Sequence, residues 1–152
     1  MKNDLGNLRK KYKKDYLSQS ESNKNPFNLF HKWFQDADLN AKIDEANAFT
    51  LSTIGIDGYP RGRVVLLKSY DSEGFIFYTN YNSSKGFDIK NNPNVCMSFF
   101  WSQDERQIII KGSASKVANS VSDKYFDSRP LESRLGAMVS DQSNIIPDRK
   151  IL

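Results

Sequence analysis

This chain of 152 residues carries one cysteine and one histidine. With Cys96 alone, no disulfide can close within the chain and no Cys-rich zinc site can be built. It lies in Val95-Cys96-Met97-Ser98-Phe99-Phe100 and reads as an inert buried thiol. His31 has no second histidine, cysteine pair or carboxylate at matching helical spacing, so a metal site is not expected. Nothing sets a nucleophile beside it either, which leaves Ser-His-Asp and Cys-His catalysis unsupported. His31 therefore reads as a surface residue.

Long apolar runs are also missing, so no segment reads as a membrane span. Met1-Lys2-Asn3-Asp4 lacks the apolar stretch of a signal peptide, and the expectation is a cytoplasmic protein. Neither internal repeats nor low-complexity segments occur. Only 38% of the residues are hydrophobic, enough for one domain with one modest core. A partner subunit or a bound cofactor would add to its stability by mass action. The net charge is +4 and the pI about 9.1. Cations and carboxylates alternate along most of the chain, which disfavours a nucleic-acid module and suggests small anionic ligands. A DNA-binding reading based on Arg9 to Lys14 would require steep salt dependence.

Leu5, Leu8, Tyr12 and Tyr16 recur at helical spacing among Arg9-Lys10-Lys11 and Lys13-Lys14, predicting a short basic amphipathic helix. A polar linker, Ser18 to Lys24, follows, so residues 1–24 form a helix and linker ahead of a domain at 25–152. Asn25-Pro26 supplies a helix start, with Phe27, Phe30, Trp33 and Phe34 on one stripe facing the core.

From Phe49 the period becomes two: Phe49 to Ile54 alternates, and Asp57-Gly58 turns the chain into Arg63-Val64-Val65-Leu66-Leu67-Lys68. This aliphatic run with a cation at each end reads as a buried strand whose ends reach a polar ligand, or as an ordinary strand whose cations stay in water. Asp71-Ser72-Glu73-Gly74 joins it to Phe75 to Asn80 as a hairpin that brings Lys68, Tyr78 and Thr79 together. Ser83 or Ser84 caps a short helix reaching Lys90, and that start, with Lys85, is either an anion site or a capped surface helix. Strands follow at Val95 to Trp101 and Gln107 to about Val117, separated by Ser102 to Glu105. Gln107 could hydrogen-bond a heteroaromatic edge or the neighbouring backbone. Ser120-Val121-Ser122-Asp123 resembles a capping box opening a helix that ends at Ser128-Arg129-Pro130, and Leu131 to Met138 is a second helical pattern. At least five strands with short helical additions predict an antiparallel barrel.

Taken in order, these pieces resemble the pyridoxine/pyridoxamine 5'-phosphate oxidase family of FMN-binding split β-barrels, antiparallel and Greek-key-like. The resemblance runs from Leu8-Arg9-Lys10-Lys11-Tyr12 through Arg63 to Lys68, Phe77 to Asn80 and Glu105-Arg106-Gln107. It continues through Lys124-Tyr125-Phe126, Ser128-Arg129-Pro130, Ser133, Gly136-Ala137 and Gln142-Ser143. It implies FMN as cofactor, held by Arg63, Val64, Val65, Leu66, Leu67, Lys68, Tyr78, Thr79, Ser84, Lys85, Gln107, Gln142 and Ser143. It also implies that Lys68, Tyr125, Arg129 and Ser133 hold the substrate phosphate, beneath an N-terminal segment bearing Arg9 and Tyr12.

The implied reaction oxidises pyridoxamine or pyridoxine 5'-phosphate to the aldehyde with oxygen, in a homodimer, without a metal or an acid/base dyad. Alternatives in the same superfamily are a flavin reductase and a non-catalytic FMN- or pyridoxal-phosphate-binding module. Two departures from the family pattern stand out. Ser84 replaces a customary arginine, which predicts weaker FMN binding, and the chain stops before the expected C-terminal segment with its tryptophan and Arg-x-His motif.

Overall fold

The computed structural model describes residues 4–14, 16–19, 25–146 and 148. Its elements are α1 (Pro26–Leu39), β1 (Ala48–Ile54), β2 (Pro60–Tyr70), β3 (Phe75–Phe77), α2 (Ser84–Asn91), β4 (Asn94–Trp101), β5 (Arg106–Ser113), α3 (Asn119–Ser128) and α4 (Leu131–Val139). The five strands form one sheet in the order β3-β2-β1-β4-β5. Three hairpin-connected strands with the fourth returning beside the first is the Greek-key pattern of the expected antiparallel split barrel.

Two compact units emerge, one built from Phe100–Ile108 with the residues up to Ala46, the other from Asn47–Phe99 with the residues from Ile109 onward. In the first, α1 starts where Asn25 accepts a hydrogen bond from the Phe27 amide, with Pro26 in its first turn. The predicted stripe buries Phe30, which stacks on Phe34 at 5.9 Å, and Phe34 meets the edge of Trp101 at 6.3 Å. Trp101 donates its indole N–H to the Ala46 carbonyl at 3.0 Å, so its polar atom is satisfied although buried. His31 is exposed, as expected.

In the second unit β1 alternates strictly, burying Phe49, Leu51 and Thr53. Phe49 packs on Phe99 at 5.2 Å and on Phe77 at 5.9 Å. The β1–β2 turn uses Gly58 at φ 80°, where a side chain would be strained. Asp71 and Gly74 close the β2–β3 hairpin through a 3.0 Å bond.

Four expectations are corrected. Residues 4–14 contain no helix. Leu5, Leu8 and Tyr12 are exposed there, and an isolated short helix without a buried face does not persist in water. Strand β3 stops at Phe77, because a register shift between Leu67 and Ser69 disrupts its pairing with β2. The Ser120 capping box is not used: α3 starts at Asn119 with Ala118 in the cap position and no side-chain cap bond. Strand β5 ends at Ser113 and does not reach Val117. The boundary expected at residue 24 lies outside the described residues.

Candidate functional site

Within the second unit, the densest polar constellation gathers where β1 and β2 meet the start of α2. Ser83 is fully buried and caps α2, accepting from the Gly86 amide and donating to the Asn80 carbonyl at 2.6 Å. Gly86 is required by close approach, since a Cβ there would collide with the Tyr81 carbonyl. The turn thereby directs the first amides of α2 and the Lys85 side chain to one side. Lys85 donates to Ser83 at 3.2 Å and to the Gln142 side-chain oxygen at 2.8 Å. Asn80 donates to the Ser140 carbonyl at 3.3 Å, a second tie between this loop and the segment after α4. Ser143, beside Gln142, adopts φ 76°, a left-handed conformation seldom held by a non-glycine residue unless its surroundings impose it.

Arg63 approaches from β2. Its guanidinium donates to the Leu51 carbonyl at 3.2 Å and to the Thr53 hydroxyl at 2.7 Å, and lies 3.6 Å from the Asp88 carboxylate. Thr53 in turn donates to Asp88 at 2.7 Å. Asp88 is nearly fully buried on α2, and Arg61 sits 3.6 Å from its other oxygen while bonding Asp57 at 2.8 Å.

Burial is the main cause that pulls the Lys85 ammonium below its ordinary proton affinity, and the positive Arg63 adds to it. Burial likewise lowers Arg63, partly offset by Asp88. Two cations that repel one another inside a partly desolvated wall, beside a helix start, match what a phosphate dianion requires.

Alternation along β2 turns Arg61, Arg63, Val65 and Leu67 to one face and Val64, Leu66 and Lys68 to the other. Lys68 is exposed at the register shift, next to the Leu67–Phe77 pair, and thus close in register to Tyr78 and Thr79. Val64 is exposed, Val65 and Leu66 are half-buried, and Leu67 is core. The Leu67 amide and carbonyl both bond Asn47, at 2.8 and 3.0 Å. Tyr78 stacks face to face on Tyr125 of α3, centroids 3.7 Å apart and planes 3° from parallel. Arg129 ends α3, and Ser133 lies exposed in the first turn of α4. Ser84 is exposed at the first position of α2.

Arg9, Tyr12 and Gln107 belong to the first unit, all three exposed. An open cleft lined by Ser52, Ile54, Pro60, Asn94, Cys96 and Lys111 contains none of the sequence-predicted site residues. Among the described residues no group of three or more His, Cys, Asp or Glu could hold a metal ion.

Sequence reasoning missed Thr53, Ser83 as the lysine's partner, Asp88 and Asn80. Asp88 was legible only as one polar residue on a short helix, and its pairing with residues 25 and 35 positions earlier depends on the sheet.

Residues 35–152 match the family model described as Pyridoxamine 5'-phosphate oxidase. The chain is 56% identical over 150 residues to the pyridoxine/pyridoxamine 5'-phosphate oxidase of Flavobacterium johnsoniae, covering 99% of this chain and 70% of that protein. It is 49% identical over 152 residues to the protein of that name from Nostoc sp., covering 100% of this chain and 71% of the relative.

Among solved structures it is similar to PhzG from Burkholderia lata 383 in complex with tetrahydrophenazine-1-carboxylic acid. The TM-score there is 0.82 at 29% identity, over 90% of this chain and 68% of the other. A pyridoxamine 5'-phosphate oxidase-related, FMN binding protein from Nostoc punctiforme shares the fold, with a TM-score of 0.65 at 14% identity over 85% of this chain and 71% of that one. The Greek-key sheet, the cationic wall at α2 and the extent of these matches agree: the chain belongs to the pyridoxamine 5'-phosphate oxidase family.

Proposed function

We propose that this protein catalyses FMN-dependent oxidation of pyridoxamine or pyridoxine 5'-phosphate to pyridoxal 5'-phosphate, with oxygen as final acceptor. The observation that carries this reading is the convergence of Arg63 and Lys85 on the N-terminus of α2, where Gln142 returns from beyond α4 to bond the lysine.

The residues fit the flavin phosphate. Arg63 offers a fork of donors already oriented by Thr53 and Asp88, Lys85 a movable charge, and the α2 amides further donors. Each charged hydrogen bond of this kind contributes about 1.5–3 kcal/mol. With Ser84 supplying a hydroxyl in place of a cation, FMN binding is weaker than three cations would give. The β2 backbone from Val64 to Lys68, with Thr79, Gln107 and Ser143, completes the cofactor wall. When bound, the flavin accepts hydride from the substrate carbon and passes the electrons to oxygen.

The chain's own task is to hold two rings and two phosphates in register. Tyr78 and Tyr125 present parallel aromatic faces, and Arg129, Ser133 and Lys68 supply donors for the vitamer phosphate. Arg9 and Tyr12 close over the substrate from the N-terminal arm. Exposed apolar side chains at Val64, Phe87 and Ile109 support burial of this surface in a homodimer. The absence of a long apolar helix among the described residues agrees with a small-molecule enzyme working away from the bilayer, and we assign it to the cytoplasm.

The test is direct. Purified protein supplied with FMN should show flavin absorbance, and under air it should convert pyridoxamine phosphate to the aldehyde with release of peroxide. A colourless protein that FMN cannot reconstitute refutes the proposal.

A further inference from the structure

In the first unit, the turn between β4 and β5 forms a clasp for the N-terminal arm. Glu105 stands at φ 55°, a left-handed conformation that costs a non-glycine residue energy. Its side chain is only 8% exposed. One carboxylate oxygen accepts the consecutive backbone amides of Lys13 and Lys14, at 2.8 and 3.0 Å. The other lies 3.5 Å from the Lys10 ammonium. Beside it, Asp104 faces Lys14 at 3.8 Å and accepts from Asn40 at 2.7 Å. On the far side of the turn Arg106 bonds Asp36 at 2.7 Å and lies over the Trp33 ring at 4.9 Å, which fixes the base from which Glu105 projects.

The arm has nothing else of this kind. Among the described residues of 4–14 there is no helix or strand, and Leu5, Leu8 and Tyr12 are exposed. Among the described residues, the hydrogen bonds and ion pairs that tie this arm to the rest of the protein end on Asp104 or Glu105. Two amides directed at one carboxylate make a charge-assisted fork, the mode by which backbone nests hold anions, used in reverse to hold a chain segment. The Lys14 amide, above all, draws the Glu105 carboxyl below the usual range, so the clasp is charged at neutral pH.

We infer that Glu105 is a positioning residue: its carboxylate docks the arm at Lys13–Lys14 and thereby sets where Arg9 and Tyr12 stand when substrate binds. The second half of this inference rests on the substrate role proposed above for Arg9 and Tyr12. Glu105 itself touches neither cofactor nor vitamer. Its loss raises the substrate concentration needed and leaves flavin binding alone.

The arm carries its own reporter, because Arg9, Lys10, Lys11, Lys13 and Lys14 are tryptic sites. Glu105→Gly removes the carboxylate and relieves the left-handed backbone at once, so the variant folds at least as well as the parent. Limited trypsinolysis of FMN-loaded protein should cleave the arm about tenfold faster in Glu105→Gly, since cleavage follows the population of the released form. The KM for pyridoxamine phosphate should rise by about tenfold while kcat and the FMN Kd stay within about twofold. Glu105→Gln, which keeps an acceptor and loses the charge, should fall between the two.

An unchanged cleavage rate in Glu105→Gly overturns the docking. Faster cleavage with an unchanged KM overturns the positioning. A parent protein that oxidises no vitamer refutes the proposed function instead, and the proteolysis result still decides the clasp.

Discussion

Asp88→Ala should be among the most destabilising single substitutions in the second unit. Asp88 is 4% exposed and accepts a 2.7 Å hydrogen bond from Thr53, with Arg63 at 3.6 Å, and Arg63 is itself bonded to Thr53 at 2.7 Å. Removing the carboxylate strands a buried hydroxyl proton and a partly buried guanidinium. At an effective dielectric near 20, unit charges about 4 Å apart attract by about 4 kcal/mol, most of which offsets desolvation in the intact pair. Removing one partner loses the attraction and keeps the desolvation, which costs about 3–5 kcal/mol. Arg61 adds little, because its side chain is 39% exposed and it keeps Asp57.

With a urea m-value of about 2 kcal/mol/M, the midpoint followed by tryptophan fluorescence should fall by about 1.5–2.5 M. Asp88→Asn retains an acceptor for Thr53 and should lose about half as much. Combined with Thr53→Val it should deviate from additivity by about 0.5–3 kcal/mol, as members of one network do. A midpoint that moves by less than about 0.5 M in Asp88→Ala would mean that Thr53, Arg63 and Asp88 are solvated like a surface ion pair, and the desolvated cationic wall would have to be abandoned.

Lys85 predicts a pH dependence. Its proton affinity is lowered in the folded protein, so the folded state binds fewer protons than the unfolded one between the lowered value and the ordinary 10.5. Stability without ligand therefore rises with pH through that window, whereas FMN affinity, read by quenching of flavin fluorescence, should fall as the ammonium loses its proton. Lys85→Met should flatten both slopes, and a variant that keeps them points to another group. Gly86→Ala should cost about 1–3 kcal/mol in urea unfolding, because the new methyl group must displace the Tyr81 carbonyl. A neutral result would show that the 80–86 loop yields freely. Phe99→Ala, removing a fully buried ring that packs on Phe49 at 5.2 Å, should lower stability by about 3–5 kcal/mol without changing the ratio of FMN to riboflavin affinity.

The turns and caps read from the sequence recur because each is a local contest. Asn25-Pro26, Asp57-Gly58, Asp71 to Gly74 and Ser83 satisfy backbone groups with side chains one to four residues away, and no distant partner can outbid them. The N-terminal arm shows the opposite. Its helical spacing is genuine, yet its amides at Lys13 and Lys14 find Glu105, some ninety positions on in the chain. The Ser120 capping box failed in the same way, with α3 starting one residue earlier at Asn119.

The residue types and their order were thus enough to determine the family, the Greek-key strand set and the identity of the cations facing an anion, because periodicity and turn chemistry act over a few residues. Which of those cations share a wall was decided only by the tertiary structure. Pairing of β1 with β2 and the seating of α2 bring Thr53, Arg63, Lys85 and Asp88 together, while the two-residue period of β2 turns Lys68 to the opposite face from Arg63. A buried charge must find its partner wherever the fold puts one, and that partner is chosen by distance in space, to which spacing along the chain is blind.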